Sequence, residues 1–155
     1  MKNDLIELRN RPNDNYIFDA SWQDLYILTK HWKSDLLFYK DDLRFLDNLI
    51  DKYVIWISKE DDLESVRDIE KSIIKTAIEC DFLLQEINKH LTHIEGLIED
   101  AFKYDSHKFR TEHQHLENDI TIFVKTFRVN KKEVFEVTKH LIESDELIRI
   151  LTKAH

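Results

Sequence analysis

The sequence has very little of what several protein classes require. Its 155 residues include one glycine, one proline and one cysteine. So few glycines and prolines cannot supply the tight turns of a many-stranded sandwich, barrel or doubly wound sheet, and they leave no glycine-rich phosphate loop. A single cysteine excludes an intramolecular disulfide and a cysteine-based zinc knuckle. Several classes of fold and enzyme are therefore excluded before any motif is considered.

The charge balance is acidic, with 23 lysines and arginines against 31 aspartates and glutamates and a net charge of −8 with histidine neutral. Such a surface disfavours broad nucleic-acid binding and attraction to an anionic membrane. No segment approaches the ~18 consecutive apolar residues of a spanning helix, and Met1–Arg9 lacks the apolar stretch of a signal peptide. We therefore predict a cytoplasmic protein that binds neither nucleic acid nor a membrane.

Apolar side chains recur at alternating spacings of three and four residues along most of the chain. Three such stretches begin at Trp22, Leu63 and Phe109. A period of about 3.5 residues, held this long, indicates long helices packed side by side, whereas strands would alternate with a period of two. The sequence therefore predicts an all-α fold.

Two polar runs, at 58–62 and 103–108, interrupt the apolar pattern. Short connections of this kind make neighbouring helices antiparallel. The expected architecture is an elongated up-down-up bundle of three long helices with coiled-coil-like packing. The predicted helices cover about 22–57, 62–103 and 108–152.

The first 20 residues are predicted to form an N-terminal arm that precedes a helical bundle over 21–155. They contain Pro12 in a run rich in asparagine and aspartate, and both residue types compete with helix through local side-chain hydrogen bonds. Ser21 followed by Asp24 resembles a capping box, which places the start of the first long helix there.

The first long helix carries more apolar surface than one seam requires. A second apolar stripe runs beside the seam, and Ile27 and Ile55 lie on the side expected to face solvent. One interpretation is an irregular bundle, or an arm that covers this surface. The other is self-association, since exposed aromatic patches usually mark interfaces and two-fold dimers are the commonest oligomers. We expect a homodimer or a helical protein partner. The candidate interface comprises Leu28, Leu37, Phe38, Phe45, Leu49 and Trp56.

The eight histidines are the most suggestive chemical feature. Some have a carboxylate four residues away, as in Glu86 with His90 and His113 with Glu117, and such pairs share one helix face. Two ligands on one face can bind one ion, as in carboxylate-bridged di-metal bundles. Iron, manganese or zinc would be the metal. The candidate metal cluster comprises His31, Glu86, His90, His93, His113 and Glu117.

The expected register brings these groups to one end of the bundle. If the chain reverses near residues 59 and 105, His93 lies beside Glu117, and His90 lies within a turn of His31. Against a metal site, glutamate–histidine pairs also stabilise solvated helices. A di-iron bundle draws its ligands from four helices with repeated Glu-x-x-His motifs, and this chain has neither.

Isolated polar residues within the apolar seams have a structural interpretation. Such residues often specify register at some cost in stability, and we interpret Asn130 and Glu70 in this way. Gly96 lies inside the second helix, where glycine costs about 1 kcal/mol relative to alanine, and one explanation is a close helix–helix approach. No catalytic residues are predicted. The sequence favours a non-enzymatic interaction or scaffold protein, with a non-haem metal-binding bundle as the alternative.

Overall fold

A computed structural model describes residues 16–55, 60–141 and 143 of the chain. Three long helices pack antiparallel against one another after one short helix, and these residues contain no strand. The all-α prediction is confirmed. The helices are α1 (Tyr16–Asp19), α2 (Trp22–Val54), α3 (Glu60–Glu99) and α4 (Ser106–Leu141).

The start of α2 is capped as its sequence indicates. The Ser21 hydroxyl oxygen accepts a hydrogen bond from the backbone N–H of Asp24 at 3.1 Å, which satisfies one of the free amides at a helix N-terminus. The short α1 lies within the predicted arm. The remainder of that arm, residues 1–15, lies outside the described residues.

The helix ends differ from the predicted bounds. α2 ends at Val54, three residues before the predicted end. α3 ends at Glu99, four residues early, because the Asp100 carboxylate accepts a hydrogen bond from the backbone N–H of Phe102 at 3.0 Å and turns the chain. α4 begins at Ser106, where Asp105 caps the backbone N–H of Lys108 at 3.0 Å. The predicted end of the third helix, at 152, lies outside the described residues.

Two long rows of residues with a spacing of seven are buried on α3, beside the shorter pair Leu84 and Leu91 of the predicted seam. The first row belongs to the predicted seam and includes Cys80, whose Sγ lies 3.4 Å from the carbonyl oxygen of Leu36 on α2. The second row faces α4 and was not part of the predicted seam. A helix needs two such rows when it packs against two neighbours. One row is Val66, Ile73, Cys80, Ile87 and Ile94, and the other is Thr76, Leu83, His90 and Leu97.

Two compact units divide the chain, and each draws on all three long helices. The first comprises Met1–Tyr39 and Glu79–Lys125, and the second comprises Lys40–Ile78 and Thr126–His155. The first unit contains α1 and the α3–α4 connection. One of its cores consists of Ala20, Leu25, Ile94, Leu97 and Phe109, with Trp22, Tyr26 and Tyr104 packed against it.

A buried polar network joins α3 to α4 in the second unit. The Asn130 side chain is buried, and its Oδ1 lies 2.6 Å from the hydroxyl of Thr76. Its Nδ2 donates to the Ser72 hydroxyl at 2.8 Å. Because burying an amide without partners is costly, these contacts favour one alignment of the two helices. They support the interpretation of Asn130 as a residue that specifies register.

Glu70 has a different environment in the same unit. It is half-buried and faces Asp51 and Asp47 of α2. Burial raises its pKa, and hydrogen bonding to Asp51 and the charges of both aspartates add to that effect, while Arg67 opposes it. Burial, and then the charge of Asp51, likewise raises the pKa of Asp47. These carboxyl groups therefore favour folding more strongly in acid than at neutral pH.

Replacing Gly96 with alanine should raise the free energy of unfolding by about 1 kcal/mol, the helix-propensity difference between the two residues. Among the described residues, only the flexible side chain of Lys103 comes near the position of an added Cβ, at 3.6 Å. The predicted close helix–helix approach is therefore wrong. Urea unfolding of Gly96→Ala beside the reciprocal variant Ala77→Gly measures the effect. A loss of stability in Gly96→Ala would contradict the open environment of this glycine.

Within the described ranges, no helix combines the length and the apolar character needed to cross a membrane.

Candidate functional site

Two histidines form a buried pair between α3 and α4 in the first unit. His90 belongs to the second buried row of α3, and His113 occupies the apolar seam of α4. Nε2 of His90 lies 2.7 Å from Nδ1 of His113. At this distance one hydrogen lies between the two nitrogens, so one ring donates and the other accepts. The contact therefore requires that at least one of the rings is neutral.

The surroundings of His90 favour its neutral form. Burial lowers the pKa of His90 from 6.5 to about 4, and the nearby charge of His93 adds to the effect. An imidazolium is poorly solvated in such a place, so it gives up its proton more readily than in water. At neutral pH His90 is therefore an uncharged hydrogen-bonding group.

Aromatic rings enclose the histidine pair. Phe109 stacks on His90 with ring centroids 4.6 Å apart and an interplanar angle of 11°. Trp32 of α2 lies against His113 at 4.6 Å. His93 meets the Phe109 ring edge-on at 4.8 Å. The three long helices thus each contribute at least one ring to a single packed cluster, and Phe109 contacts both histidines of α3.

Arg110, next to Phe109 on α4, binds the N-terminal part of the described chain. Its guanidinium lies 4.2 Å from the centroid of the Trp22 ring, within cation–π range. Its Nη1 donates to the carbonyl oxygens of Ile17 and Ala20, both at 2.7 Å. These carbonyls are at and just after α1, where helical partners are missing. Arg110 therefore holds α1 against α4.

An open groove of about 390 Å³ runs beside the histidine pair, between α3 and α4. Three of its charged side chains, Glu86, Lys89 and Glu112, have partners. The Lys89 ammonium lies 3.4 Å from the Glu86 carboxylate, and the Tyr104 hydroxyl donates to Glu112 at 2.8 Å. None of the lining residues is a serine, threonine or cysteine, so the groove presents no hydroxyl or thiol nucleophile. The lining residues are Phe82, Glu86, Lys89, His90, His93, Glu112, His115, Leu116 and Asp119.

The predicted metal cluster is partly brought together. His90 and His113 are in contact, and His93 joins them through the Phe109 ring. Glu117 is buried one turn beyond His113 on α4.

The other two predicted ligands lie apart from that core, since Glu86 is half-buried on the wall of the groove and His31 is exposed on α2. In the part of the chain that the structure describes, no three histidine, cysteine or carboxylate side chains are placed to hold one metal ion. The metal site stays a prediction, which elemental analysis of untagged protein can test.

The expected register of α3 against α4 is wrong by about two turns. It placed His93 beside Glu117 and His90 level with Thr121, whereas His90 contacts His113. The cause is the early end of α3 at Glu99, which moves the point of chain reversal toward the N-terminus. The expected α2–α3 register is closer, since Leu36 lies next to Cys80.

The predicted interface residues divide into three groups. Leu37, Phe38 and Phe45 are exposed on α2. Leu28 and Leu49 are half-buried, because their positions border the seam. Trp56 lies outside the described residues. The interface therefore stays a prediction, and its exposed part narrows to three of the six residues.

Sequence reasoning missed two features of the site. Phe109 appeared only as the first residue of an apolar stretch, although its ring contacts both His90 and His93. Arg110, which follows it, carried no signal, because its partners are backbone carbonyls some 90 residues earlier in the chain. Long-range contacts of this kind leave no trace in local periodicity.

Comparison with known proteins gave no relatives: no family model, curated protein or solved structure matches the chain.

Proposed function

We propose that this protein is a non-enzymatic helical interaction module that self-associates through α2. The supporting observation is the exposure of large apolar side chains on the side of α2 that faces away from its seam. A solvated helix face ordinarily carries polar residues, and several large apolar side chains exposed on one such face are typical of an interface. We call these residues the outer apolar face of α2: Ile27 (56% exposed), Leu37 (46%), Phe38 (64%), Phe45 (53%) and Ile55 (78%), which directly follows the helix.

The energetics favour a weak, reversible complex. Complete burial of a phenylalanine contributes roughly 1.5–3 kcal/mol. Because Phe38 and Phe45 are a little over half exposed, the four rings of a two-fold dimer would contribute roughly 4–7 kcal/mol together. The cost of association is about 4–15 kcal/mol, and the remaining apolar residues of the face add to the gain. Because the gain and the cost are of similar size, we expect a weak dimer whose population rises with protein concentration.

The double variant Phe38→Ser/Phe45→Ser tests the proposal. We expect light scattering to give a mass for the wild type that rises from 18.8 kDa toward twice that value with concentration. The double variant removes all four rings and should raise the dissociation constant by at least about 1,000-fold, which corresponds to ~4 kcal/mol. The matched control is Phe82→Ser, which removes a ring that is 56% exposed on α3 and should leave the dissociation constant unchanged. A wild-type mass that stays at 18.8 kDa at high micromolar concentration would contradict the proposal.

A further inference from the structure

The outer apolar face of α2 is symmetric in position about Asp41. Ile27 and Ile55 lie fourteen residues before and after Asp41, and Leu37 and Phe45 lie four residues before and after it. Fourteen residues are close to four turns of helix and four residues are close to one, so all of these positions share the side on which Asp41 lies. Asp41 itself is exposed.

This symmetry has a geometric consequence for two copies of the helix. If two α2 helices pack antiparallel about a two-fold axis at Asp41, Ile27 of one copy meets Ile55 of the second copy, and Leu37 meets Phe45. Four of the five apolar residues of the face then have an apolar counterpart, and Phe38 meets Arg44; self-complementarity of this kind is what a closed two-fold interface requires.

The charges on this face distinguish antiparallel from parallel pairing. In a parallel pair each residue meets its own counterpart, so Lys30, Arg44 and Asp51 would each face a like charge. In the antiparallel pair, His31 comes level with Asp51 of the second copy. Arg44 comes level with the ring of Phe38 of the second copy, and it lies one turn from that copy's Asp41. Lys30 comes level with Lys52, so one like-charge pair stays on each side of the axis, whereas in the parallel pair Lys30, Arg44, Asp51 and Lys52 would all face like charges.

The two Asp41 carboxylates at the axis have cations nearby. Within one chain, Nη1 of Arg44 lies 3.9 Å from Oδ1 of Asp41, and both side chains are well exposed. An arginine has five donors and can bind more than one carboxylate. In the antiparallel pair, the two arginines therefore flank the two carboxylates and offset their repulsion.

We infer that the partner of the outer apolar face is a second copy of this chain, docked with its α2 antiparallel about a two-fold axis at Asp41. The inference rests on the proposed self-association and adds its partner, orientation and register. In this dimer, the contacts between the two copies involve only residues of α2 and the adjoining Ile55.

Cysteine cross-linking tests the orientation in the full chain. The row of positions along the centre of the face is Ile27, Ser34, Asp41, Asn48 and Ile55. The native Cys80 is fully buried, so it does not compete for a surface reagent. Asp41→Cys should cross-link to itself with mild oxidant or a short bis-maleimide. Ser34→Cys and Asn48→Cys, seven residues on either side, should each fail to cross-link alone and should cross-link when mixed.

Gln85→Cys, at an exposed position on α3, measures random collision and should give only background. We expect the Asp41→Cys sample and the mixed sample to cross-link at least ~10-fold above that background. Self-cross-linking of Ser34→Cys and of Asn48→Cys would indicate a parallel dimer and would overturn this inference while leaving the proposed function intact. Background cross-linking in every sample, from protein with a dimeric mass, would move the interface away from α2 and overturn both. A monomeric mass for the wild type would overturn the proposed function itself.

Discussion

Replacing Phe109 with alanine should lower the free energy of unfolding by about 3–5 kcal/mol, the range for removing a buried aromatic side chain. The ring is fully buried, and its nearest ring contacts are His90 face-on and Trp22 and His93 edge-on. A cavity at this point cannot easily collapse, because its walls belong to all three of these side chains. The loss of stability therefore includes both the transfer free energy of the removed ring and the cost of the cavity that it leaves.

Urea unfolding at a concentration where the chain is monomeric measures this effect. The matched control is Phe102→Ala, which removes a ring that is 97% exposed in the α3–α4 connection. We expect that change to stay within about 0.5 kcal/mol of the wild type. A cost below ~1 kcal/mol for Phe109→Ala would mean that the aromatic cluster is loosely packed and would contradict the geometry described above.

Lowering the pH from 8 to 5 should cost about 2 kcal/mol of folding free energy through His90 alone. The pKa of His90 is about 4 in the folded protein and 6.5 as its unperturbed value. The unfolded chain therefore binds a proton at this residue as the pH falls through 6.5, while the folded chain does not until about pH 4. The destabilisation begins near the upper value, increases through the interval and levels off below the lower one.

Comparing His90→Gln with the wild type isolates this contribution. Glutamine keeps hydrogen-bonding capacity but does not titrate, so the variant should lose about 2 kcal/mol less than the wild type between pH 8 and pH 5. Asp47 and Glu70 act with the opposite sign, because their raised pKa values favour folding in acid, but they are common to both proteins. His115→Gln, which changes an exposed histidine of α4, should keep the wild-type slope. Equal slopes for the wild type and His90→Gln would contradict the burial of a neutral His90.

The fold class could be predicted from periodicity because each long helix repeats one physical requirement, an apolar stripe facing its neighbours. The same periodicity missed the second buried row of α3, the one that faces α4. The second row contains Thr76 and His90, which are polar, and their burial depends on partners supplied by α4. A polar residue can be buried when a residue far away in the sequence forms a hydrogen bond with it, and the apolar pattern of its own helix does not reveal this.

The prediction of the histidine site depended on the register of α3 against α4, which local sequence specifies poorly. The difference between the expected and the observed end of α3 was four residues, and that was enough to bring His113 rather than Thr121 to His90. The turn that ends α3 depends on local hydrogen bonds to Asp100, whose carboxylate accepts from the backbone N–H of Phe102 and whose carbonyl accepts from that of Lys103. The exposed apolar residues of α2 were easier to predict from the sequence, because Leu37, Phe38 and Phe45 depart from the polar pattern of a solvated helix.

The anchor of α1 has a consequence for biosynthesis. The carbonyls of Ile17 and Ala20 are bound by the guanidinium of Arg110, which lies 93 and 90 positions later in the chain. A ribosome makes the chain from its N-terminus at about 5–20 residues per second, so these carbonyls emerge several seconds before their partner. Throughout that interval water must take the place of the arginine. The docking of α1 must therefore wait until the part of α4 that contains Arg110 has left the exit tunnel.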